Sequence, residues 1–458
     1  MEFWHEMKKL RQLVLHGDLE KISANPTLCK ILDRQPESKE EDAVYSVNSR
    51  TAEYSVFQKL GAGVFGEVFR GQNEKTKKQV VLKKMKEDSG KKHMKRELSV
   101  LKYLKKMNKD SKYTVDFFES FEDREITFLV FEKLDETLFD AIADDCKPMS
   151  LRVIRPIAKQ LFLALEELRA VNILHTDIKP DNIMFVDKAH QPYRIKLIDF
   201  GLALKASKVQ PEMVVQAPAY RAPEVLLGLP FNEAIDTWAV GCTLAFLFMA
   251  HHLFHGKEPY LMTEIVELLG QPNDQLLSQG MFTEEYFIQD QAANGATWKL
   301  KSPEESEVKC KTVINHLLDL MNIYPSSGVA ESWDRMNFIF LLKGLLNVDM
   351  NKRLSAQEAL RSPFITMEHL TRQFEETDYL TLSQETMNMC PTLSTDQEGS
   401  LGDFQVSSGS SEVFRRKDKT KRRSSRRGGP FKKLTKALGG FFHQIKTCFR
   451  KKNRVGPV

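Results

Sequence analysis

The 458-residue chain has little of what marks a secreted, membrane-spanning or fibrous protein. Its six cysteines (Cys29, Cys146, Cys242, Cys310, Cys390 and Cys448) are scattered and include no C-x-x-C pair. That spacing argues against a disulfide framework or a zinc site and fits a reducing compartment, cytosolic or nuclear. No long apolar run is present. The nearest, Trp238 to His255, contains Gly241 and Cys242 and ends among His251, His252 and His255. A spanning helix needs roughly 20 predominantly apolar residues, so a buried core helix is expected there. The first residues, MEFWHEMKKL, lack the continuous apolar stretch of a signal peptide. Glycine (23) and proline (18) are ordinary and aromatics plentiful, which removes collagen-like and wholly disordered readings.

What is present is a folded body with a charge asymmetry. From Glu412 to Val458 there are 17 Lys or Arg and 2 acidic residues, leaving 50 basic and 60 acidic residues in 1–411. The net +5 is therefore the sum of a body near −10 and a tail near +15. Four zones follow. Residues 1–52 read as a polar extension with an amphipathic start (Phe3, Met7, Leu10, Val14). Residues 53–368 carry dense apolar periodicity. Residues 369–411, rich in Thr, Ser, Gln and Glu, read as a linker, and 412–458 is the basic tail.

The folded zone opens with Leu60-Gly-Ala-Gly-Val-Phe-Gly-Glu-Val68. Gly61, Gly63 and Gly66 leave room for backbone N–H groups to approach phosphate oxygens. A Rossmann turn would continue into a helix; Glu-Val-Phe-Arg continues as a strand, which favours a phosphate-covering hairpin. The strand Val80-Val-Leu-Lys83 ends in a lysine that is either a snorkelling surface residue or a cation for nucleotide phosphates. The second reading needs a carboxylate partner, and Glu97, near the start of a helix expected over His93 to Lys105, is the candidate. Alternatively, Glu97 is a solvated first-turn acid favoured by the helix dipole.

Three further segments decide between these readings. Ile173-Leu-His-Thr-Asp-Ile-Lys-Pro-Asp-Asn-Ile-Met184 leads a strand into a loop holding Asp177, Lys179 and Asn182. Ile195-Lys-Leu-Ile-Asp-Phe-Gly201 leads a strand into Asp199, and Tyr220-Arg-Ala-Pro-Glu224 follows. In this order and spacing they form the protein-kinase signature set. Phosphoryl transfer asks a site to position reactants and neutralise charge on the equatorial oxygens. Lys83 is expected to hold ATP phosphates with Glu97 fixing it, and Asn182 and Asp199 to supply hard oxygen ligands for Mg²⁺. Asp177 is expected to accept the substrate hydroxyl proton, and Lys179 to steady the transferring group. Glu224 with Arg353, and Asp236 behind the catalytic loop, read as structural. In the hinge strand Thr127 to Leu134, Phe131 guards the back of an adenine pocket, and Glu132 and Leu134 offer backbone hydrogen bonds. Leu60, Val68 and Ile198 are candidate apolar walls, with ordinary core packing as the alternative for these and Phe131. Ile157, Leu161, Leu165 and Leu168 form a helical stripe that reads as core.

The expected fold is α+β and bilobal: a small β-rich lobe (53–131), a hinge (132–135) and a larger helical lobe (136–368). Asn182 to Gly201 and Arg221 to Asp236 closely resemble the homeodomain-interacting protein kinases, and the resemblance runs from about Tyr54 to about Leu370, including Trp298-Lys-Leu-Lys-Ser-Pro. That family is related to the dual-specificity tyrosine-regulated kinases, and the resemblance implies a Ser/Thr kinase acting on transcription-related and signalling proteins. Thr176, where most kinases carry arginine, agrees with the family's habit. Two positions depart from it. The autophosphorylated activation-loop tyrosine corresponds to Val214, and the arginine able to pair its phosphate corresponds to Pro218. The phosphate switch is therefore not expected to operate at that point. Either packing holds the loop or activity is reduced. Arg221 persists, and in related kinases it favours proline after the phosphorylated residue. The contrasting reading is a scaffold or decoy pseudokinase, against which stand Lys83, Asp177 and Asp199.

In the tail, Phe431, Leu434, Leu438, Phe441, Phe442, Ile445 and Phe449 recur at helical spacing among lysines and arginines. Nuclear import through Lys421-Arg-Arg-Ser-Ser-Arg-Arg427, an anionic membrane surface and an autoinhibitory or partner-binding helix all remain open. No direct sequence-specific nucleic-acid binding is expected.

Overall fold

The computed structural model describes residues 44–390 apart from 63–65, 86, 108–110, 146, 257–259, 293–294 and 302–313. The amphipathic start, most of the expected linker and the basic tail lie outside the described residues. A six-stranded antiparallel sheet comes first, in the order β1-β2-β3-β4-β6-β5. Its strands are β1 (Tyr45–Asn48), β2 (Glu53–Ala62), β3 (Gly66–Asn73), β4 (Gln79–Met85), β5 (Phe117–Asp123) and β6 (Ile126–Glu132), with helix α1 (Glu87–Met107) inserted after β4. Strand alternation sorts their side chains. Val80, Leu82, Phe128 and Val130 join Val47, Tyr54 and Val56 in one apolar cluster, while Lys83, Leu129 and Phe131 point to the opposite face.

The remaining elements form a helical lobe around one large core. Helix α2 spans Leu138–Asp145 and α3 spans Leu151–Ala170. On α3 the stripe Ile157, Leu161, Leu165 and Leu168 is buried as expected. Strands β7 (Ile173–Leu174), β8 (Ile183–Asp187), β9 (Gln191–Leu197) and β10 (Leu204–Lys205) pair two by two. Helix α4 (Ala234–Met249) is apolar all round, and every residue from Ile235 to Met249 is buried, so it forms the centre of the lobe. Among the described residues no helix is long and apolar enough to cross a membrane. Helix α5 (Leu261–Leu269), the hairpin β11 (Phe287–Ala292) and β12 (Gly295–Leu300), and α6 (Val329–Leu345) complete the lobe.

Two expected boundaries move. Residues 45–48, assigned to the extension, pair with β2 as the edge strand β1. The expected end at 368 falls inside folded structure. A helical turn at Glu368–Thr371 leads to α7 (Asp378–Asn388), and Leu370 and Leu380 bury with Ala330 of α6. Weak apolar periodicity hid this segment because polar contacts hold much of it. The buried Asp334 carboxylate takes Arg155 at 2.5 Å, the His369 ring at 3.0 Å and the Tyr379 hydroxyl at 2.7 Å. Burial alone raises such a carboxyl, but the Arg155 guanidinium and the bonds from His369 and Tyr379 overcome that and hold it below its ordinary range.

Candidate active site

Helix α1 places Glu97, Leu101 and Leu104 on one face at i, i+4 and i+7, and all three are buried. A carboxylate on an apolar stripe needs a partner, and β4 supplies it. The Lys83 ammonium lies 2.7 Å from Glu97 Oε1 and 3.2 Å from Asp199 Oδ1. Burial works against the lysine charge, yet Asp199 and Glu97 outweigh it and raise its pKa. Burial likewise opposes the Asp199 charge, and Lys83 overcomes it to hold that carboxyl low. Glu97 stands in the middle of α1 rather than near its start, because the helix begins six residues earlier than the apolar pattern indicates.

The β8–β9 hairpin closes the lower wall. Its register sets Ile183 opposite Leu197, so the residues just outside the hairpin, Asn182 and Ile198, meet through a 2.9 Å backbone bond. That register brings the 177–182 loop beside Asp199. Asn182 Nδ2 donates to the Asp177 carbonyl and to Asp177 Oδ2, both at 2.8 Å, and Lys179 Nζ donates to the same Oδ2 at 2.9 Å. The Asn182 amide nitrogen is thus committed and its Oδ1 is the atom left to face the cleft. Asp199 Oδ1 is taken by Lys83 and by the Gly201 N–H at 3.2 Å, which leaves Oδ2. An amide oxygen and a carboxylate oxygen suit a hard divalent cation. Among the described residues no cluster of three or more His, Cys, Asp or Glu side chains is built to hold an ion, so phosphate and water oxygens would complete such a shell.

The upper wall is more mixed. Val68, Phe131 and Ile198 are half-buried, Leu134 is buried and Leu60 is exposed. Phe131 packs against Phe117 with ring centroids 5.6 Å apart. The Glu132 N–H already donates to the Asp116 carbonyl at 3.0 Å, so of its backbone groups only the carbonyl is left for a base. Of the glycines, Gly61 faces open space. At Gly66 a Cβ would lie 2.4 Å from the Lys84 carbonyl, so the close approach of two strands is enough to require that glycine. Gly63 lies outside the described residues.

The two structural assignments have their expected geometry. Glu224 and Arg353 form a buried two-bond pair at 2.6 and 2.8 Å, and Asp236 accepts the His175 and Thr176 N–H groups at 2.7 and 2.9 Å. Other contributors, apart from Thr176, were not singled out in the sequence. The His175 ring meets the Ile198 carbonyl at 3.0 Å and the edge of Phe200. Thr176, at φ 65°, donates its hydroxyl to the Leu202 carbonyl at 2.8 Å, and Arg96 reaches the Leu202 and Ala203 carbonyls at 2.8 and 3.1 Å. Lys196, almost fully buried, bonds Glu132 at 2.5 Å and Asp116 at 3.1 Å, tying β9 to the hinge. The one available signal for Lys196 was a charge inside the apolar run Ile195-Lys-Leu-Ile198.

In the segment ahead of Glu224, Val214 is largely exposed and Pro218 opens a short 3₁₀ turn. Gln216 has the left-handed φ of 68°. Its side chain is held between the Ile235 carbonyl and the Ala222 N–H, and its own carbonyl accepts from Arg221 at 3.1 Å.

Residues 54–365 match the protein kinase domain family. Among similar proteins are homeodomain-interacting protein kinase 1 of Mus musculus, 36% identical over 359 residues covering 75% of this chain and 30% of the relative. Homeodomain-interacting protein kinase 2 of Mesocricetus auratus is 35% identical over the same share of this chain and 31% of its own. Homeodomain-interacting protein kinase 4 of Homo sapiens is 32% identical over 74% of this chain and 59% of its own. The chain thus spans about a third of the length of the first two and about three fifths of the last.

Proposed function

We propose, because this chain belongs to the protein kinase family and stands among the homeodomain-interacting protein kinases, that it transfers the γ-phosphoryl group of ATP to serine or threonine hydroxyls of proteins with Mg²⁺. The observation that carries this is the Lys83 ammonium joining Glu97 to Asp199 while Asn182 holds the Asp177 carboxylate. Lys83 would grip the phosphates; Asn182 Oδ1 and Asp199 Oδ2 would hold the cation, whose charge offsets that of the phosphates. Asp177 would take the hydroxyl proton, and Lys179 would steady the group in flight. Leu60, Val68, Phe131, Leu134 and Ile198 would enclose adenine, with Gly61, Gly63 and Gly66 over the phosphates.

Specificity for serine or threonine followed by proline has a physical ground in Gln216. Its carbonyl is turned onto Arg221 and cannot accept the N–H of the residue after the phosphorylated one. An ordinary residue there loses a hydrogen bond, worth about 1 kcal/mol or more when the donor is buried; proline has no N–H to lose. The name of the relatives supports transcription regulators as substrates. In place of a phosphotyrosine, Thr176 and Arg96 fasten the start of the activation segment by donating to its Leu202 and Ala203 carbonyls, a reading of packing rather than phosphate control.

ATP turnover by the full chain beside an Asp177→Asn variant tests the activity. A loss of about 10²-fold or more is expected, the scale of a lost general acid–base group, and equal rates would end the proposal. In the same assay Val214→Tyr should change little. A large gain requiring phosphorylation of the new tyrosine would refute packing control.

A further inference from the structure

Next to Arg221 lies an open groove of about 520 Å³ that the transfer chemistry does not use. Val214, Pro218, Val225 and Leu226 line its upper side, Phe282, Glu285 and Tyr286 its lower side. The two walls come from different parts of the helical lobe. The upper is the end of the activation segment and the helical turn Pro223–Leu226 that follows it; the lower belongs to the helical turn Thr283–Tyr286 that enters β11. Gly228 lets them lie close, since at its φ of 64° a Cβ would lie 2.7 Å from the Phe282 ring, and the Phe282 N–H donates to the Leu227 carbonyl at 3.0 Å. Val214 is 64% exposed, an apolar side chain facing water beside an aromatic-lined cleft. Glu285 is exposed, and no hydrogen bond or ion pair reaches its carboxylate among the described residues.

We propose that this groove binds the substrate segment that follows the proline, taking one apolar residue between Val214, Pro218, Phe282 and Tyr286 and one lysine or arginine against Glu285. The inference rests on the kinase reading above and deepens it. Its occupant follows from continuity. Arg221 lies on the groove and also grips the Gln216 carbonyl where the residue after the phosphoacceptor sits, so an extended chain leaving that residue enters the groove within two or three residues, at about 3.3 Å each. Its polarity follows from the lining. Apolar walls reward one buried aliphatic or aromatic side chain, and among the described residues the carboxylate at the rim has no cation paired with it.

The test uses peptides of one core, a serine followed by proline, that differ only two and three residues later: Leu with Arg, Leu with Glu, and Ser with Ser. The full chain should prefer Leu with Arg over Leu with Glu by about three- to tenfold in kcat/KM, the scale of one exposed charge pair gained against one repelled. Glu285→Lys should reverse that ratio, and Val214→Asp should erase the advantage of Leu over Ser. Each ratio is internal to one enzyme, so a general change in rate does not disturb it; fluorescence anisotropy of the labelled peptides reads the same ratios without turnover. Ratios unaltered by Glu285→Lys would overturn the groove assignment. Loss of the requirement for proline, with the downstream ratios intact, would count against the Gln216 reading instead.

Discussion

At the scale of single residues, the groups near the cleft are held by pairing, and His252 is held by exclusion. It follows the left-handed Ala250, meets the Tyr220 hydroxyl at 3.1 Å and tilts against Phe246. Burial pushes its pKa down to about 4, helped by the charges of His251 and His255. The unfolded chain, with histidine near 6.5, therefore binds a proton that the native state refuses between about pH 6.5 and 4. Stability is full above that window and falls through it as pH is lowered, by on the order of 2–3 kcal/mol at its lower end. Denaturant titrations across this range should show a flatter profile for His252→Gln than for the parent. Parallel profiles would mean that other groups set the slope.

At the scale of elements, the segment after Pro363 behaves as a strap on the helical lobe. Its His369 and Tyr379 complete the shell of Asp334, a carboxylate whose remaining partner is Arg155 on α3. Removing one partner from a buried charge costs more than the bond is worth when both partners are present. Tyr379→Phe should lower unfolding stability by about 1–3 kcal/mol, and a chain ending at Met367 should lose more, since two donors leave together. Chemical denaturation of the three proteins measures this, and a Tyr379→Phe midpoint equal to the parent's would remove the strap's structural role. This element also shows where the sequence became unreadable. The glycine-rich hairpin, the 173–184 loop and Asp199 were legible because their chemistry demands particular residue types at fixed spacing. The strap was not, because Asp334, His369 and Tyr379 are ordinary polar residues whose partnership is set by tertiary packing. Lys196 and Gln216 escaped for the same reason: one is a charge inside a strand, the other a backbone conformation. The start of α1 was misplaced because its first turns carry no apolar pattern to read.

At the scale of the whole molecule, the division of charge separates a body near −10 from a tail near +15. The tail lies outside the described residues, and we propose that it serves as an address. Nuclear import and attachment to an anionic membrane are its two address readings, beside an autoinhibitory or partner-binding helix. Fluorescent fusions with and without 412–458 distinguish them. Loss of nuclear signal on deletion favours import and loss of peripheral signal favours the membrane, while an unchanged distribution would deny the tail either role.

The bonds from Thr176 and Arg96 to the Leu202 and Ala203 carbonyls have a consequence for how such a protein is governed. Under the packing control proposed above, a loop fastened by constant parts of the chain would offer a phosphatase nothing to remove at Val214. Output at that switch would then scale with the number of copies present. Synthesis and degradation would become its dial, and the time constant of the response would be the lifetime of the protein rather than that of a phosphate.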